Sequence, residues 1–296
     1  WLNVPRQRIE ADIRPDIAPK RRAAAFFSGG VDSFHTALSR PDVDTLIFVH
    51  GFDIPLKNLE LRKQASENAR DAAMELGKGF IEVVTDIRRL GPYLNDWGMT
   101  HGAAMATVAH FLSGTFGTIY IPATYTYGDA FPWGSHPLTD PLWSSDNLRI
   151  IHYGADTTRF EKIGLLSHNE SAAKHLRVCW ENREGRYNCC RCEKCTRTMI
   201  ALRAHGVLDQ FTTFDRPLEL RRVRLGALNH QTQIAFTRQG LRAVEASGDK
   251  ELASALRWRL RLGRKIFWGQ VLAGVAKRRV TRLMRANATS GNSFNR

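Results

Sequence analysis

Short runs of consecutive apolar residues recur along the first half of the chain and predict buried β-strands. They lie at residues 23–27, 45–51, 80–86, 118–123 and 149–154. Segments between the first four runs have the spacing of amphipathic helices, at residues 33–40, 57–77 and 101–113. Strands without polar alternation, each followed by a helix, are typical of a parallel sheet covered on both faces. The pattern therefore predicts an α/β fold with a doubly wound, Rossmann-like parallel sheet.

The rest of the chain divides by composition. Residues 1–22 are polar and interrupted by prolines, which predicts a linker or the end of a truncated N-terminal element. Residues 124–148 follow the fourth predicted strand and combine three prolines and two tryptophans with little charge, which favours a functional loop over a disordered one. Helical patterns dominate the last third. We predict an α/β domain over 23–178, a cysteine segment over 179–205 and a helical region over 206–296.

The first predicted strand ends in a glycine-rich turn, Ser-Gly-Gly-Val-Asp-Ser at residues 28–33, and a helical pattern follows. Backbone N–H groups at a helix N-terminus bind anions, and Gly29 and Gly30 would let a phosphate approach the backbone closely. Asp32 would repel a bare phosphate, so its presence favours a bridging Mg²⁺. The turn matches neither the Walker pattern nor the dinucleotide-binding pattern. The alternative is a tight turn in which a Ser or Asp side chain caps the helix.

All five cysteines lie within seventeen residues, in the run CWENREGRYNCCRCEKC that starts at residue 179. Four of them have the spacing C-x9-C-x2-C-x2-C: Cys179, Cys189, Cys192 and Cys195. Four thiolates on short turns are typical of a closed, structural, tetrahedral Zn²⁺ site, and this spacing leaves Cys190 pointing away. An iron–sulfur cluster, redox thiols and the absence of any metal are the alternatives.

The hexapeptide S-G-G-x-D-S after a first strand resembles the pyrophosphate-binding loop of the ATP-pyrophosphatase, or PP-loop, superfamily. This resemblance implies a nucleotide α-hydrolase-like fold in which ATP is split to AMP and pyrophosphate and a substrate oxygen is adenylated. The resemblance also implies which residues bind pyrophosphate and Mg²⁺: Ser28, Gly29, Gly30, Val31, Asp32 and Ser33. Of these, it implies that Asp32 and Ser33 act in catalysis. His50 and Gly51, at the end of the second predicted strand, would lie near the adenosine, although His50 equally fits an ordinary strand end.

Together, the glycine turn and the cysteines resemble the 7-cyano-7-deazaguanine synthase family of the queuosine pathway, over roughly residues 23–205. In that family four cysteines hold zinc, and a carboxylate becomes an amide and then a nitrile with ammonia and repeated adenylation. Residues 158–161, Thr-Arg-Phe-Glu, match a T-K-x-E segment of the family, with Arg159 in place of Lys. The loop at 124–145 differs from the family's Y-S-G-Y-P-D-C-R, and Cys190 stands where Gly is usual. The resemblance therefore covers the scaffold and not the deazaguanine substrate, as expected for a sister branch.

The loop after the fourth predicted strand is the candidate substrate-binding region, since ligands of open α/β sheets bind beyond the carboxyl ends of strands. Its candidate residues are Tyr125, Tyr127, Asp129, His136 and Asp140. Aromatic rings can stack on a planar substrate, and His136 and Asp140 can orient it or bind Mg²⁺. Alternatively, the rings pack the loop down and Asp140 caps the turn before Pro141. Arg159 and Lys162 are candidates for neutralising the negative charge of an adenylate or pyrophosphate, with Lys162 in a catalytic role. The alternative is that both are surface positions of a helix.

The excess positive charge of the chain is confined to its C-terminal part. Residues 216–296 contain 18 Lys and Arg against 4 Asp and Glu, a net charge of +14, whereas residues 1–215 contain 25 of each. Over residues 257–285 arginines alternate with tryptophan, leucine and phenylalanine. This pattern suits RNA, an anionic membrane surface or a helix docked on its own domain. RNA and anionic membranes are therefore candidate partners of residues 216–296, and the sequence indicates no oligomeric state.

The chain contains no stretch that the sequence identifies as a membrane span or signal peptide. The longest late apolar stretch, residues 266–276, is far shorter than the ~20 residues that cross a bilayer. The first 22 residues are polar and charged, unlike a signal peptide. We therefore expect a soluble, cytoplasmic protein.

These observations predict an ATP-dependent, AMP-forming C–N ligase with ATP, Mg²⁺ and Zn²⁺ as cofactors. It would adenylate a carboxylate or amide of a small molecule, and ammonia, free or supplied by a partner protein, would displace AMP. One alternative is a tRNA-modifying PP-loop enzyme that thiolates or amidates a base, which zinc ligation by four cysteines disfavours. The other alternative is a noncatalytic nucleotide-binding module, which the presence of Asp32, Ser28 and Ser33 disfavours.

Overall fold

The computed structural model describes residues 22–90, 96–228 and 231–263. Its centre is a five-stranded parallel sheet with the strand order β3-β2-β1-β4-β5. The strands are β1 (Ala23–Phe26), β2 (Val43–His50), β3 (Gly79–Val84), β4 (Thr118–Pro122) and β5 (Arg149–Tyr153). The predicted α/β fold with a parallel sheet is confirmed, and each strand begins and ends within two residues of its predicted bounds.

Helices pack on both faces of this sheet. They are α1 (Val31–Ser39), α2 (Leu59–Glu75), α3 (Trp97–Phe111), α4 (Arg159–Leu166), α5 (Glu170–His175) and α6 (Glu193–Ala204). Successive residues of a strand point to opposite faces. Ala25 of β1 therefore packs into an apolar layer with α1, α2 and α4, while Ala24 and Phe26 pack into a second layer with α3. Every residue of β1 is buried, as expected for the central strand of a sheet covered on both sides.

The strand order places the two candidate loops side by side. The order of the strands reverses at β1. Strands β2 and β3 lie on one side of β1, and β4 and β5 lie on the other. Residues 28–33 follow β1, and the loop at 124–148 follows β4, its direct neighbour in the sheet. Both loops therefore lie at the carboxyl edge of the sheet, beside the point where open α/β sheets bind their ligands.

The loop at 124–148 packs closely on α3. It contains two short 3₁₀ turns, Tyr127–Asp129 and Asp140–Trp143. The N–H of Gly134 donates to the carbonyl of Gly98 over 2.7 Å. A Cβ at Gly102 would lie 1.8 Å from the carbonyl oxygen of Gly134, so this contact requires glycine on the helix.

The chain divides into two compact units between Pro217 and Leu218. The second unit contains α7 (Leu220–Leu225), α8 (Gln231–Ala246) and α9, which occupies residues 250–263. Within it, the buried Arg259 donates through Nε to the carbonyl of Gly226 over 3.2 Å. The helical pattern predicted for the C-terminal region is thus observed as far as the description extends.

Several predictions concern residues that the structure does not describe. The linker predicted at 1–22 lies almost wholly outside the described residues, which begin at Arg22. Of the 18 Lys and Arg in residues 216–296, eight lie in 264–296, also outside. In the part of the chain that is described, no helix is both long enough and apolar enough to cross a membrane.

Candidate functional site

The glycine turn brings the chain from β1 directly into the N-terminus of α1. Gly29 has a φ of +73°, a left-handed conformation that glycine adopts without strain. Gly30 is the N-cap of α1, and no side chain caps this helix end. Ser33 is buried and donates through Oγ to the carbonyl of Gly30 over 3.0 Å, while Ser28 is exposed. The first amides of α1 are therefore not engaged by a capping side chain, the arrangement in which helix N-termini bind anions.

Asp32 lies in the first turn of α1 between two buried cations from α4. Its Oδ1 lies 3.2 Å from Nζ of Lys162, and its Oδ2 lies 3.3 Å from a terminal nitrogen of Arg159. Burial favours the neutral carboxyl, but the charges of Lys162 and Arg159 outweigh this effect and lower the pKa of Asp32 below its ordinary value of 3.8. The structure thus brings Asp32 together with two other predicted site residues, Arg159 and Lys162, that lie more than 120 residues away in sequence.

The start of α4 explains why both cations face Asp32. Thr158 accepts a hydrogen bond from the N–H of Glu161, whose carboxylate accepts one from the N–H of Thr158, forming a capping box. This fixes the first turn of α4, where Arg159 and Lys162 are three residues apart and share one face. Lys162 is 1% exposed and also donates to the carbonyl of Ala123 at the end of β4 over 2.6 Å. These two residues are therefore buried site residues and not surface positions.

A third cation near Asp32, which the sequence did not suggest, comes from α6. Arg197 is 13% exposed at its side chain and lies 3.7 Å from the carboxylate of Glu193. Burial and the nearby charge of Arg159 lower its pKa to about 10, and its own charge contributes to the lowered pKa of Asp32. Lys162 and Arg159 thus both contact Asp32, so positive charge exceeds negative charge within this group of three side chains, and Arg197 pairs with Glu193 nearby.

His50 and Gly51 lie at the end of β2, with the His50 side chain directed toward β3 and α2. His50 is 7% exposed, with Nε2 lying 3.0 Å from Oε1 of Glu82 and Nδ1 accepting a hydrogen bond from Arg62 over 3.2 Å. A Cβ at Gly51 would lie 2.0 Å from the carbonyl oxygen of Thr85. His50 therefore holds the ends of β2 and β3 together, and its ring nitrogens are both engaged by the protein.

The aromatic residues of the loop at 124–148 form a connected group. The ring of Tyr125 lies 4.9 Å from that of Phe131 and 6.2 Å from that of Trp133, which in turn lies 5.4 Å from His101 of α3. Burial raises the pKa of Tyr125, and the charge of Arg197 opposes this shift, which places Tyr125 near the cations. Tyr127 is 65% exposed. Tyr125 is thus part of the aromatic group that packs the loop down.

The polar candidates of this loop are engaged within the loop and with β5. Asp140 is fully buried and accepts hydrogen bonds from Oγ of Ser135 over 2.6 Å and the N–H of His136 over 3.1 Å. Its Oδ2 also lies 2.8 Å from Nδ1 of His152 on β5. Asp129 accepts a hydrogen bond from the hydroxyl of Thr126 over 2.8 Å. His136 is 7% exposed and accepts one from the N–H of Leu138. For Asp140, these contacts correspond to the interpretation of a carboxylate that stabilises the loop.

The four cysteines selected by spacing lie together and could hold a metal. All four are buried, and the Sγ atoms of Cys179, Cys189, Cys192 and Cys195 lie within 4.8 Å of one another. Zn–S bonds of about 2.3 Å in a tetrahedral site place sulfurs about 4 Å apart, so the group fits Zn²⁺ with little movement. The N–H of Cys192 donates to Sγ of Cys189, and the N–H of Cys195 donates to Sγ of Cys192.

Cys190 lies outside this group, as predicted from its spacing. It has a φ of +56°, which turns its side chain away from the other thiols. Its Sγ donates to the carbonyl of Asn188 over 3.6 Å and lies 3.8 Å from a carboxylate oxygen of Asp215. Burial raises the pKa of the Cys190 thiol.

The cysteine cluster is physically connected to the glycine turn by two segments. Cys192 is the N-cap of α6, and this helix carries Thr198, which accepts a hydrogen bond from Arg159 over 3.3 Å. Two residues before Cys179, the N–H of Arg177 donates to the carbonyl of Gly29 over 2.7 Å. A metal held by the cysteines would therefore support both α6 and the backbone beside the turn.

Sequence reasoning did not identify Arg177 or Arg197. The available signal was position: Arg197 lies two residues after the last cysteine of the group, and Arg177 lies two residues before the first. Comparisons with protein-family models, with curated proteins and with solved structures found no match to this chain.

Proposed function

We propose that this chain is an ATP-dependent enzyme that forms AMP and pyrophosphate while activating a carboxylate or amide oxygen of a small molecule. The observation that carries the proposal is the glycine turn at the N-terminus of α1, with Asp32 between the buried Lys162 and Arg159. Uncapped amides and an excess of buried positive charge suit a polyphosphate. A parallel sheet with this turn after its central strand is compatible with nucleotide binding.

The proposed reaction has two steps. A substrate oxygen attacks the α-phosphorus of ATP, the bond from this phosphorus to the bridging oxygen breaks, and pyrophosphate leaves with the electron pair. The amides of the turn, together with Lys162 and Arg159, stabilise the negative charge that develops on the pyrophosphate. Ammonia or another nitrogen nucleophile then attacks the activated carbon, loses a proton and displaces AMP.

The side chains of the structure fit the predicted Zn²⁺ better than the predicted Mg²⁺. The four cysteines suit a structural Zn²⁺, which would organise the segments around the turn without touching the substrate. Mg²⁺ was predicted because Asp32 would repel phosphate, but Lys162 and Arg159 already neutralise that carboxylate. Mg²⁺ therefore stays a prediction, which rests on the general requirement of ATP chemistry for a divalent cation.

The arrangement of the cysteines favours adenylation with a nitrogen nucleophile over thiolation of RNA. Thiolation requires a reactive thiol, and four of the five cysteines form one buried group. The fifth, Cys190, is buried with a raised pKa, which disfavours its thiolate.

The direct test uses ATP labelled at the α-phosphate and carboxylic acids labelled with ¹⁸O in the carboxylate. The full chain is incubated with Mg²⁺, ammonium and a panel of aliphatic and planar aromatic acids. We expect acid-dependent release of AMP and pyrophosphate in equal amounts, with one ¹⁸O atom transferred from the acid to AMP. Release of ADP, or AMP whose new oxygen comes from water, would contradict the proposal.

A further inference from the structure

Arg177 is a buried cation directly beside the glycine turn. It is 5% exposed, and its backbone N–H donates to the carbonyl of Gly29 over 2.7 Å. Its Cβ lies 3.7 Å from the position that a Cβ would occupy at Gly29. Both the backbone and the side chain of Arg177 are therefore in contact range of the turn.

The charge of Arg177 has no anionic partner in the described part of the chain. Its guanidinium forms no ion pair there, and its Nε has no hydrogen-bond partner. One terminal nitrogen donates to Oδ1 of Asn182 over 2.6 Å, and the guanidinium carbon lies 5.9 Å from the ring centre of Tyr187. Burying a charge without a counter-charge is costly, which indicates that an anion completes the site.

The direction of the side chain indicates the part of the sheet edge that Arg177 faces. Asn182, the partner of the guanidinium, donates through Nδ2 to the carbonyl of Asp53, three residues beyond β2. The side chain thus extends from the turn after β1 toward the end of the adjacent β2. Lys162 contacts Asp32 and the end of β4, on the other side of β1.

The segment before the cysteine cluster holds Arg177 in place. Buried Asn188 accepts hydrogen bonds from the N–H groups of Val178 and Cys179 and donates to the carbonyl of Leu176 over 2.8 Å. The hydroxyl of Tyr187 donates to the carbonyl of His175 over 2.8 Å. The backbone on both sides of Arg177 is therefore fixed, and a rigid guanidinium loses little entropy when it binds a ligand.

We propose that Arg177 binds a phosphate group of the nucleotide at the glycine turn, on the side of the turn that faces β2. This inference rests on the proposed function and adds a second cationic contact to it, opposite to Lys162 and Arg159. The anion is then held from both sides of β1, by a guanidinium whose planar donors match phosphate oxygens.

The test measures binding of inorganic pyrophosphate to the full chain by calorimetry, with Mg²⁺ present and without turnover. Arg177→Gln is expected to weaken binding about 10- to 100-fold, the effect of losing a hydrogen bond between charged groups. The matched control is Arg186→Gln, which removes the same charge from an arginine of the same segment that is paired with Asp215 and Glu184. This control is expected to change the affinity less than about twofold, because Arg186 is only partly buried and its charge is already balanced by Asp215 and Glu184.

Thermal unfolding without ligand separates a binding role from a structural one. Because Arg177→Gln removes a buried charge without a counter-charge, its melting temperature is expected to equal or exceed that of the wild type, while the stabilisation by pyrophosphate is lost. Arg177→Lys, which keeps the charge but not the planar donors, should bind with intermediate affinity. Wild-type affinity in Arg177→Gln would overturn this inference alone. Absence of pyrophosphate and ATP binding in the wild type would overturn the proposed function as well.

Discussion

Two carboxylates, one fully buried and one partly buried, lie at the same edge of the sheet, and their surroundings differ. Asp140, in the loop after β4, is fully buried, and its partners are Ser135, His136 and His152 from the same loop and β5. Asp32, after β1, has a side chain that is 18% exposed, and its partners are buried cations from another helix. Asp140 thus belongs to a polar group whose members hydrogen-bond to one another, whereas Asp32 belongs to a group with unbalanced positive charge.

These surroundings distinguish a carboxylate that stabilises the fold from one at a binding site. Around Asp140 the hydrogen-bonding groups satisfy one another, so no ligand is needed to complete them. Around Asp32 two buried cations, Lys162 and Arg159, contact a single carboxylate. An anionic ligand would remove this imbalance, so the region around Asp32 is the one expected to bind it.

The largest expected effect on stability is at Asp140. Asp140→Ala leaves three buried donors without their acceptor, and we expect a loss of about 3–5 kcal/mol in the free energy of unfolding, measured in urea. Asp146→Ala, an exposed carboxylate of the same loop, should cost less than about 0.5 kcal/mol. If Asp140→Ala kept its stability but lost AMP formation, the comparison would fail, because Asp140 would then act on substrate.

The next effect is on the reaction and concerns Lys162. Lys162→Met keeps an unbranched side chain, one atom shorter, but removes the charge facing Asp32, and we expect the rate of AMP formation to fall about 10²- to 10³-fold. Lys174→Met is the matched control, because Lys174 is 54% exposed at its side chain and pairs with Glu75 away from the turn. Initial rates with labelled ATP measure both. Equal rates in the wild type and Lys162→Met would remove Lys162 from the catalytic group.

The fold and part of the site followed from local sequence patterns. Uninterrupted apolar runs such as 118–123 can be buried on both faces of a sheet, so the strands were predicted to within two residues. The cysteine spacing also identified the four thiols that lie together, because short turns bring ligands three residues apart into one group. These signals depend on neighbours in sequence.

The unpredicted part depends on contacts between distant segments. Asp140 meets His152 because β5 lies beside the loop, and nothing in either residue's local sequence indicates that pairing. Arg177 and Arg197 reach the glycine turn through the segments on either side of the cysteine group. Their positions follow from how the cysteine segment packs on the sheet edge, a tertiary contact without periodicity.

A smaller effect, confined to acid pH, tests the ion pairs of Asp32. Its pKa is lowered in the folded protein, so its ionised form contributes stability above the ordinary pKa of 3.8 that is lost as the pH falls through the folded value. The stability difference between wild type and Asp32→Asn, measured by urea unfolding, should therefore be constant above about pH 5 and shrink below pH 4. Other carboxylates titrate in both proteins and cancel in this comparison. A difference that stays constant down to pH 2.5 would contradict the ion pairs of Asp32.

The smallest expected effect tests whether the loop after β4 has an open part. Tyr127 is 65% exposed, and its backbone N–H, not its ring, holds the turn through a 2.8 Å hydrogen bond to the carbonyl of Ala155. Tyr127→Ala should therefore change the free energy of unfolding by less than about 0.5 kcal/mol. If the ring stacks on a planar acid, the KM for that acid should rise about threefold to tenfold, as expected for one aromatic contact, with kcat unchanged. Tyr125→Ala should instead lower stability, because its ring packs on Phe131 and Trp133. An unchanged KM in Tyr127→Ala would leave the loop as a closed support and confine substrate recognition to the region around Asp32.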